Sequence, residues 1–213
     1  MESSSEGVAA RRPPAGLMAQ PRMEKTDQSL LDAHRQGDSA AFGELVRRYG
    51  DSVLGYLIRM SGSRERADDL FQETFKRVHE KSHTFRGPQF KGWLFKIATR
   101  VALDGVRKNK RMKTISLNQQ TDCAGQDGGE LAATVASDNS YNPSEQAVKA
   151  ERTEQVRQAV GSLPARQRAT LVLAYYQQLS YREVAAVLGC SEGTVKTQMY
   201  RALRTLAQRL PEM

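Results

Sequence analysis

The chain has 213 residues, a formal net charge of +8 and an isoelectric point near 9.7. This length suffices for one large domain or two small ones, and the hydrophobic fraction of 39% permits folded cores. The excess positive charge favours an anionic partner, with nucleic acid as the first candidate. A soluble protein that is basic without such a partner is the alternative that composition leaves open.

Two cysteines, Cys123 and Cys190, lie far apart and have no second cysteine or histidine at metal-ligand spacing. A single disulfide between them is possible, but a disulfide framework is excluded. Reduced thiols in a cytoplasmic protein are the favoured interpretation, and we expect no metal or other cofactor. No apolar run approaches the roughly 18 residues of a membrane span. Residues 1–25 lack the apolar stretch of a secretory signal, and their Ser, Gly and Pro content predicts a disordered tail.

Residues 26–113 show the apolar spacing of helices and are predicted to form a first helical domain. Asp38 is a candidate N-cap for the helix that follows it. The next helix, after Ser-Gly-Ser at 61–63, places Asp69, Gln72 and Glu73 together on its outer face. An acidic face on a basic protein disfavours DNA and indicates a protein partner with a basic surface, or else an ordinary solvated surface.

Aromatic and basic side chains alternate in the last part of this domain. The aromatic residues are Phe85, Phe90, Trp93 and Phe95, and from Arg86 to Lys113 the only acidic residue is Asp104. Rings interleaved with positive charge suit unpaired bases, which stack on aromatic side chains while lysine and arginine neutralise the backbone. These adjacent large rings must also contribute to the core, and we expect Trp93 to be at least half structural.

Residues 114–143 change in character, since they contain acidic residues but no lysine or arginine. We predict an acidic flexible linker, because structureless segments of this length are unusual inside a compact domain. The helical pattern resumes in residues 144–213, and no strand-like alternation persists anywhere in the chain. The predicted fold is therefore all-α, with two helical domains joined by the linker.

The second domain ends in two short helices with the signals of a helix-turn-helix. Ser180 and Glu183 form a predicted capping box, Gly189 a left-handed C-terminal residue, and Ser191 the cap of the second helix. The predicted buried face of the second helix comprises Val195, Met199, Ala202, Leu203 and Leu206. Its outward residues are Thr194, Lys196, Thr197, Tyr200, Arg201 and Arg204.

Lysine, arginine, threonine and tyrosine can contact phosphates or base edges, so this second helix is a candidate for insertion into the major groove. A solvated helical hairpin is the structural alternative. Cys190 is predicted to pack in the turn rather than to react. The sequence has no glycine-rich phosphate loop, paired catalytic carboxylates or metal cluster, so we do not expect an enzyme.

Three stretches together resemble a bacterial RNA polymerase sigma factor. "ADDLFQETFKRVHE" is similar to region 2.2, and "FKGWLFKIATRVALDGVRKNKR" to regions 2.3 and 2.4. "SLPARQRATLVLAYYQQLSYREVAAVLGCSEGTVKTQMYRAL" is similar to region 4. Only a linker lies where larger sigma factors carry region 3, which is typical of the extracytoplasmic-function class. The resemblance extends from about residue 27 onward and implies a sigma region 2-like bundle followed by a sigma region 4-like helix-turn-helix domain.

The resemblance implies a role for each matching surface. Asp69, Gln72 and Glu73 are expected to bind core RNA polymerase. Recognition and melting of the −10 promoter element are expected from Phe85, Phe90, Lys91, Trp93, Lys96, Arg100, Arg107 and Lys108. Binding of the −35 element is expected from Thr194, Lys196, Thr197, Tyr200, Arg201 and Arg204. The loop "FRGPQFKGW" is shorter than in several family members, so no particular −10 base preference is carried over.

The implied function is that of an alternative sigma factor without catalysis of its own. It binds core polymerase and promoter DNA, promotes promoter melting, and is controlled by an anti-sigma factor. A regulator that binds duplex operators without polymerase is the rival hypothesis, and it gives no role to Asp69, Gln72 or Glu73.

Overall fold

The computed structural model describes residues 25–117 and 143–210. This part of the chain forms eight α-helices and no strands, in agreement with the predicted all-α class. The helices are α1 (Asp27–Arg35), α2 (Ser39–Ser61), α3 (Arg64–Lys81), α4 (Phe90–Leu117), α5 (Pro143–Gly161), α6 (Ala165–Leu171), α7 (Tyr181–Leu188) and α8 (Glu192–Arg209). A 3₁₀ turn, Ser82–Thr84, follows α3, and a π-helical turn, Val172–Tyr176, follows α6.

Local caps define the helix ends where the sequence predicts them. The Asp38 carboxylate accepts from the backbone N–H groups of the first turn of α2 at 2.9 and 3.2 Å. Ser180 and Glu183 complete both halves of the capping box of α7, and these hydrogen bonds lower the pKa of the Glu183 carboxyl. Gly189 ends α7 in the left-handed conformation with φ of +65°, and Ser191 caps α8.

Helices α1 to α4 form an N-terminal unit around an aromatic and aliphatic core. Its largest fully buried side chains include Tyr56, Leu57, Phe90 and Phe95. The Tyr56 and Phe95 rings meet edge to face with centroids 5.5 Å apart. α4 crosses the unit against α2 and α3, so one face of α4 belongs to this core while the other faces solvent. α4 ends at Leu117, beyond the predicted start of the linker.

Helices α5 to α8 form a C-terminal unit in which α8 packs on α6 and α7. Val195, Met199 and Ala202 are buried, in agreement with the predicted inner face of α8. Leu203 was predicted to be buried with them, and this is wrong, because its side chain is 53% exposed. At 100° per residue Leu203 lies about 80° from Val195 around the helix, at the margin of the face that meets the rest of the unit.

The two units pack against each other, which the sequence did not indicate. α7 contacts α4, and α5 and α6 contact α2. The Arg168 guanidinium donates to the Met60 carbonyl at 2.8 Å across this boundary, and the Gln177 amide donates to the Ser52 carbonyl at 3.3 Å. The predicted tail and most of the predicted linker lie outside the described residues, and the predicted domain boundaries stay predictions.

Candidate nucleic-acid interface

The acidic face of α3 has the exposure that its predicted role requires. Asp69 and Gln72 are exposed, and Glu73 is half-buried. Glu73 accepts from Arg77 Nε at 2.6 Å within the same helix. The face therefore presents a carboxylate and an amide to solvent beside a carboxylate that is already paired. The structure brings all three predicted residues together on one surface.

The aromatic cluster at the start of α4 is mainly part of the core. The Phe85, Phe90 and Trp93 ring centroids are 5.3 to 5.8 Å apart. Phe85 is only 4% exposed and Phe90 only 1%, whereas Trp93 is half-buried. Phe85 and Phe90 were predicted to meet unpaired bases. The structure places both behind the surface instead, because a fully packed ring offers no face for stacking.

The solvent side of α4 carries a basic face. Lys96, Arg100, Arg107 and Lys108 are all exposed. The first three lie within an arc of about 40°, since four and eleven residues correspond to nearly whole helical turns. Arg107 also lies 3.4 Å from the Asp104 carboxylate. Lys91 does not join this face, because its Nζ donates to the Gln177 carbonyl of the C-terminal unit at 2.7 Å.

The predicted outer face of α8 is exposed along its whole length. Its members are Thr194, Lys196, Thr197, Tyr200, Arg201 and Arg204, and Tyr200 is 67% exposed. The Thr197 hydroxyl donates to the Gly193 carbonyl at 3.0 Å. The Thr194 hydroxyl lies 2.9 Å from the hydroxyl of Ser191. These hydrogen bonds hold the two threonine side chains close to the helix. The lysine, tyrosine and arginine side chains of the same face are longer, and they can reach base edges and phosphates.

Arg35 links α1 to the segment before α4, and the sequence did not reveal this contact. Its guanidinium extends from the last turn of α1 to the backbone carbonyls of Ser82 and Phe85, which precede α4. A basic residue at the end of a helix is ordinary, since it complements the helix dipole, so no local signal indicated a partner so far along the chain.

In residues 25–117 and 143–210, no three His, Cys, Asp or Glu side chains are arranged so that they could hold a metal ion. No helix of this part of the chain is long and apolar enough to cross a membrane.

Two family models match the chain, one for each unit. Residues 45–112 match the Sigma-70 region 2 model, and residues 153–206 match the Sigma-70 region 4 model. The first match contains the whole acidic face of α3 and the basic face of α4. The second contains the helix-turn-helix and the outer face of α8.

Full-length relatives cover both units in the same order. The chain is 34% identical to the ECF RNA polymerase sigma factor SigE of Mycolicibacterium smegmatis, over 90% of this chain and 70% of the relative. It is 30% identical to the ECF RNA polymerase sigma factor SigM of Mycobacterium tuberculosis strain H37Rv, over 89% of this chain and 87% of the relative. It is 29% identical to the ECF RNA polymerase sigma factor SigW of Bacillus subtilis, over 90% of this chain and 100% of the relative.

Solved structures support the fold. CnrH in complex with the cytosolic domain of CnrY matches with a TM-score of 0.58 and 23% identity, over 85% of this chain and 95% of that one. The sigma factor RpoE of Bartonella quintana, in complex with the anti-sigma factor NepR, matches with a TM-score of 0.60 and 24% identity, over 78% and 94%.

Proposed function

Because the chain belongs to the extracytoplasmic-function (ECF) sigma factors of RNA polymerase, it serves in transcription initiation, and we propose that three of its surfaces divide this task. Sigma factors are initiation factors and not enzymes by themselves. This one directs core RNA polymerase to promoters. The assignment of each step to particular residues rests on the exposure and charge described above.

The outer face of α8 is assigned to the −35 element. A basic, hydroxyl-bearing second helix suits the major groove, where lysine and arginine bind guanine edges or phosphates. Lys196 and Arg201 supply charge, and Thr197 and Tyr200 supply hydroxyl and ring contacts. Thr194 and Arg204 lie at either end of this face and are assigned to the flanking phosphates.

The basic face of α4 and the loop before it are assigned to the −10 element. Lys96, Arg100, Arg107 and Lys108 follow the backbone of an opened strand, since lysine and arginine replace condensed counterions there. The half-exposed Trp93 is the ring of the cluster best placed to stack on an unpaired base. Phe85 and Phe90 support the loop from within the core.

The acidic face of α3 is assigned to core RNA polymerase. The Asp69 and Glu73 carboxylates are repelled by DNA phosphates. Together with the Gln72 amide they suit a basic or amide-rich protein surface. This assignment explains an acidic patch on a protein whose net charge is +8.

We also expect an anti-sigma factor to hold the chain inactive. The RpoE structure of Bartonella quintana contains such a partner, NepR. Action on DNA together with RNA polymerase would place the chain in the cytoplasm.

The observation that carries the proposal is that both exposed basic faces fall inside the two family matches. Run-off transcription with core polymerase tests it. We expect promoter-dependent transcripts only when the chain is added. Tight binding to duplex DNA by the isolated chain, with no transcript, would favour a regulator that acts without polymerase.

A further inference from the structure

Arg35 joins α1 to the segment that leads into α4. Its Nε donates to the Ser82 carbonyl at 3.1 Å, and its Nη2 donates to the same carbonyl and to the Phe85 carbonyl, the latter at 2.9 Å. Nη1 pairs with the Asp32 carboxylate at 2.7 Å. The guanidinium is therefore held from one side by its own helix and bonds the loop on the other.

The two carbonyls that Arg35 binds belong to the first residue of the 3₁₀ turn, Ser82, and to the residue that follows the turn, Phe85. The Phe85 N–H donates to the Ser82 carbonyl at 3.2 Å, which closes the turn. The Phe85 ring packs on Phe90 and Trp93, and Gly87 then has φ of +129°. Because both the carbonyl and the ring of Phe85 are held, the direction of the backbone at the start of the loop is fixed.

We propose that Arg35 is a positioning residue for promoter melting, a role that rests on the proposed function. It holds the backbone of residues 82–85 so that the following loop and Trp93 meet the bases leaving the duplex. The guanidinium bonds Ser82, Phe85 and Asp32 from three nitrogens held in one plane. Lysine at this position keeps the charge, but it carries its donors on a single nitrogen and loses this fixed geometry.

The test compares Arg35→Lys and Arg35→Gln with Arg47→Gln. Arg47 is the matched control, since it pairs with Glu44 on the exposed side of α2. Three quantities are measured in reconstituted holoenzyme: binding to core polymerase, closed-complex formation in the cold, and permanganate reactivity of unpaired thymines. Circular dichroism checks the helical content and melting temperature of each variant.

Both Arg35 variants should bind core polymerase and form the closed complex as the wild type does. Their rate of strand opening should fall by about tenfold or more, since small misplacement of a functional group has effects of that size. A promoter with mismatched −10 bases should restore transcription, because its strands are already open. The Arg47→Gln variant should open the promoter normally.

Wild-type opening rates in both Arg35 variants would overturn the proposal. A loss of core binding as large as the loss in opening rate would also overturn it, because that result indicates a general structural role. Failure of the mismatched promoter to restore transcription would do the same. If the wild-type chain itself gives no promoter-dependent transcript, the proposed function fails, and this role fails with it.

Discussion

The Tyr56 hydroxyl lies 2.8 Å from the Thr99 hydroxyl, and this hydrogen bond joins α2 to α4 inside the N-terminal core. Both side chains are buried, and burial raises the pKa of Tyr56. Because Lys96, Arg100 and Arg107 lie within about 60–100° of Thr99 around α4, this pair fixes the rotational position of the basic face relative to the rest of the unit. Each hydroxyl satisfies the other in a region that is otherwise apolar.

Thr99→Val should destabilise the fold by about 1–3 kcal/mol, since it leaves the buried Tyr56 hydroxyl without a partner. The double variant Tyr56→Phe/Thr99→Val should lose less than the sum of the two single variants, because it removes both polar groups. Urea unfolding measures each free energy. Strictly additive losses would show that the two hydroxyls do not depend on each other.

The stability of the N-terminal unit should fall with pH because of His34. Burial, together with the neighbouring His79 ring 4.9 Å away, lowers the pKa of His34, while Asp38 acts in the opposite direction. A lowered pKa means that the unfolded chain takes up the proton first. Stability is therefore fully present above the ordinary value of 6.5 and is lost as pH falls below it towards the folded value.

The melting temperature between pH 7.5 and 5.5 tests this dependence. His34→Gln should flatten the profile in this window, and His79→Gln should flatten it in part by removing the charge repulsion. His83→Gln is the control, since His83 is exposed on the 3₁₀ turn, and it should keep the wild-type slope. An unchanged slope in His34→Gln would assign the dependence to another group.

Lys196→Ala and Arg201→Ala should each weaken holoenzyme binding to the promoter by about 1–3 kcal/mol, the typical value of a contact with a base edge. Gln208→Ala, exposed near the end of the same helix, should have little effect. Filter binding at one fixed salt concentration measures the dissociation constants. Full affinity in both alanine variants would remove α8 as the −35 contact.

Charge reversal on α3, in the variant Asp69→Lys/Glu73→Lys, should abolish co-purification with core polymerase. The fold should survive, because the Glu73–Arg77 pair is partly exposed and such pairs contribute only about 0.3–0.5 kcal/mol. Glu80→Lys, on the same helix, is the control and should still co-purify. Retention of core binding by the double variant would exclude this face as the polymerase contact.

The features that the sequence predicted depend on near neighbours in the chain. The capping box of Ser180 and Glu183 and the left-handed Gly189 follow from residues within one or two helical turns, so local spacing predicts them. The predicted burial of Leu203 was wrong, because spacing along the chain does not show how much of a helix surface the neighbouring helices cover. Arg35 was missed because its partners are fixed only once α1 and α3 have packed together.

The candidate interface also combines features that local sequence predicts with features that depend on tertiary packing. Exposure of the α8 and α4 basic faces followed from helical periodicity, because polar residues opposite an apolar stripe must meet solvent. The burial of Phe85 and Phe90 did not follow from the sequence, since an aromatic residue near a loop can either pack in the core or stack on a base. Unit packing, with Lys91 bonded to Gln177, depends on tertiary contacts that no local pattern encodes.

We propose that the α8 face and the α4 face contact two separate promoter elements in one holoenzyme complex. A photo-crosslinking amino acid placed at Arg204 or at Lys108, at the margins of the two faces, tests it most directly. We predict crosslinks near the −35 element from Arg204 and near the −10 element from Lys108. Crosslinks from both positions to a single DNA segment, or from Arg204 alone, would exclude this division between the two faces.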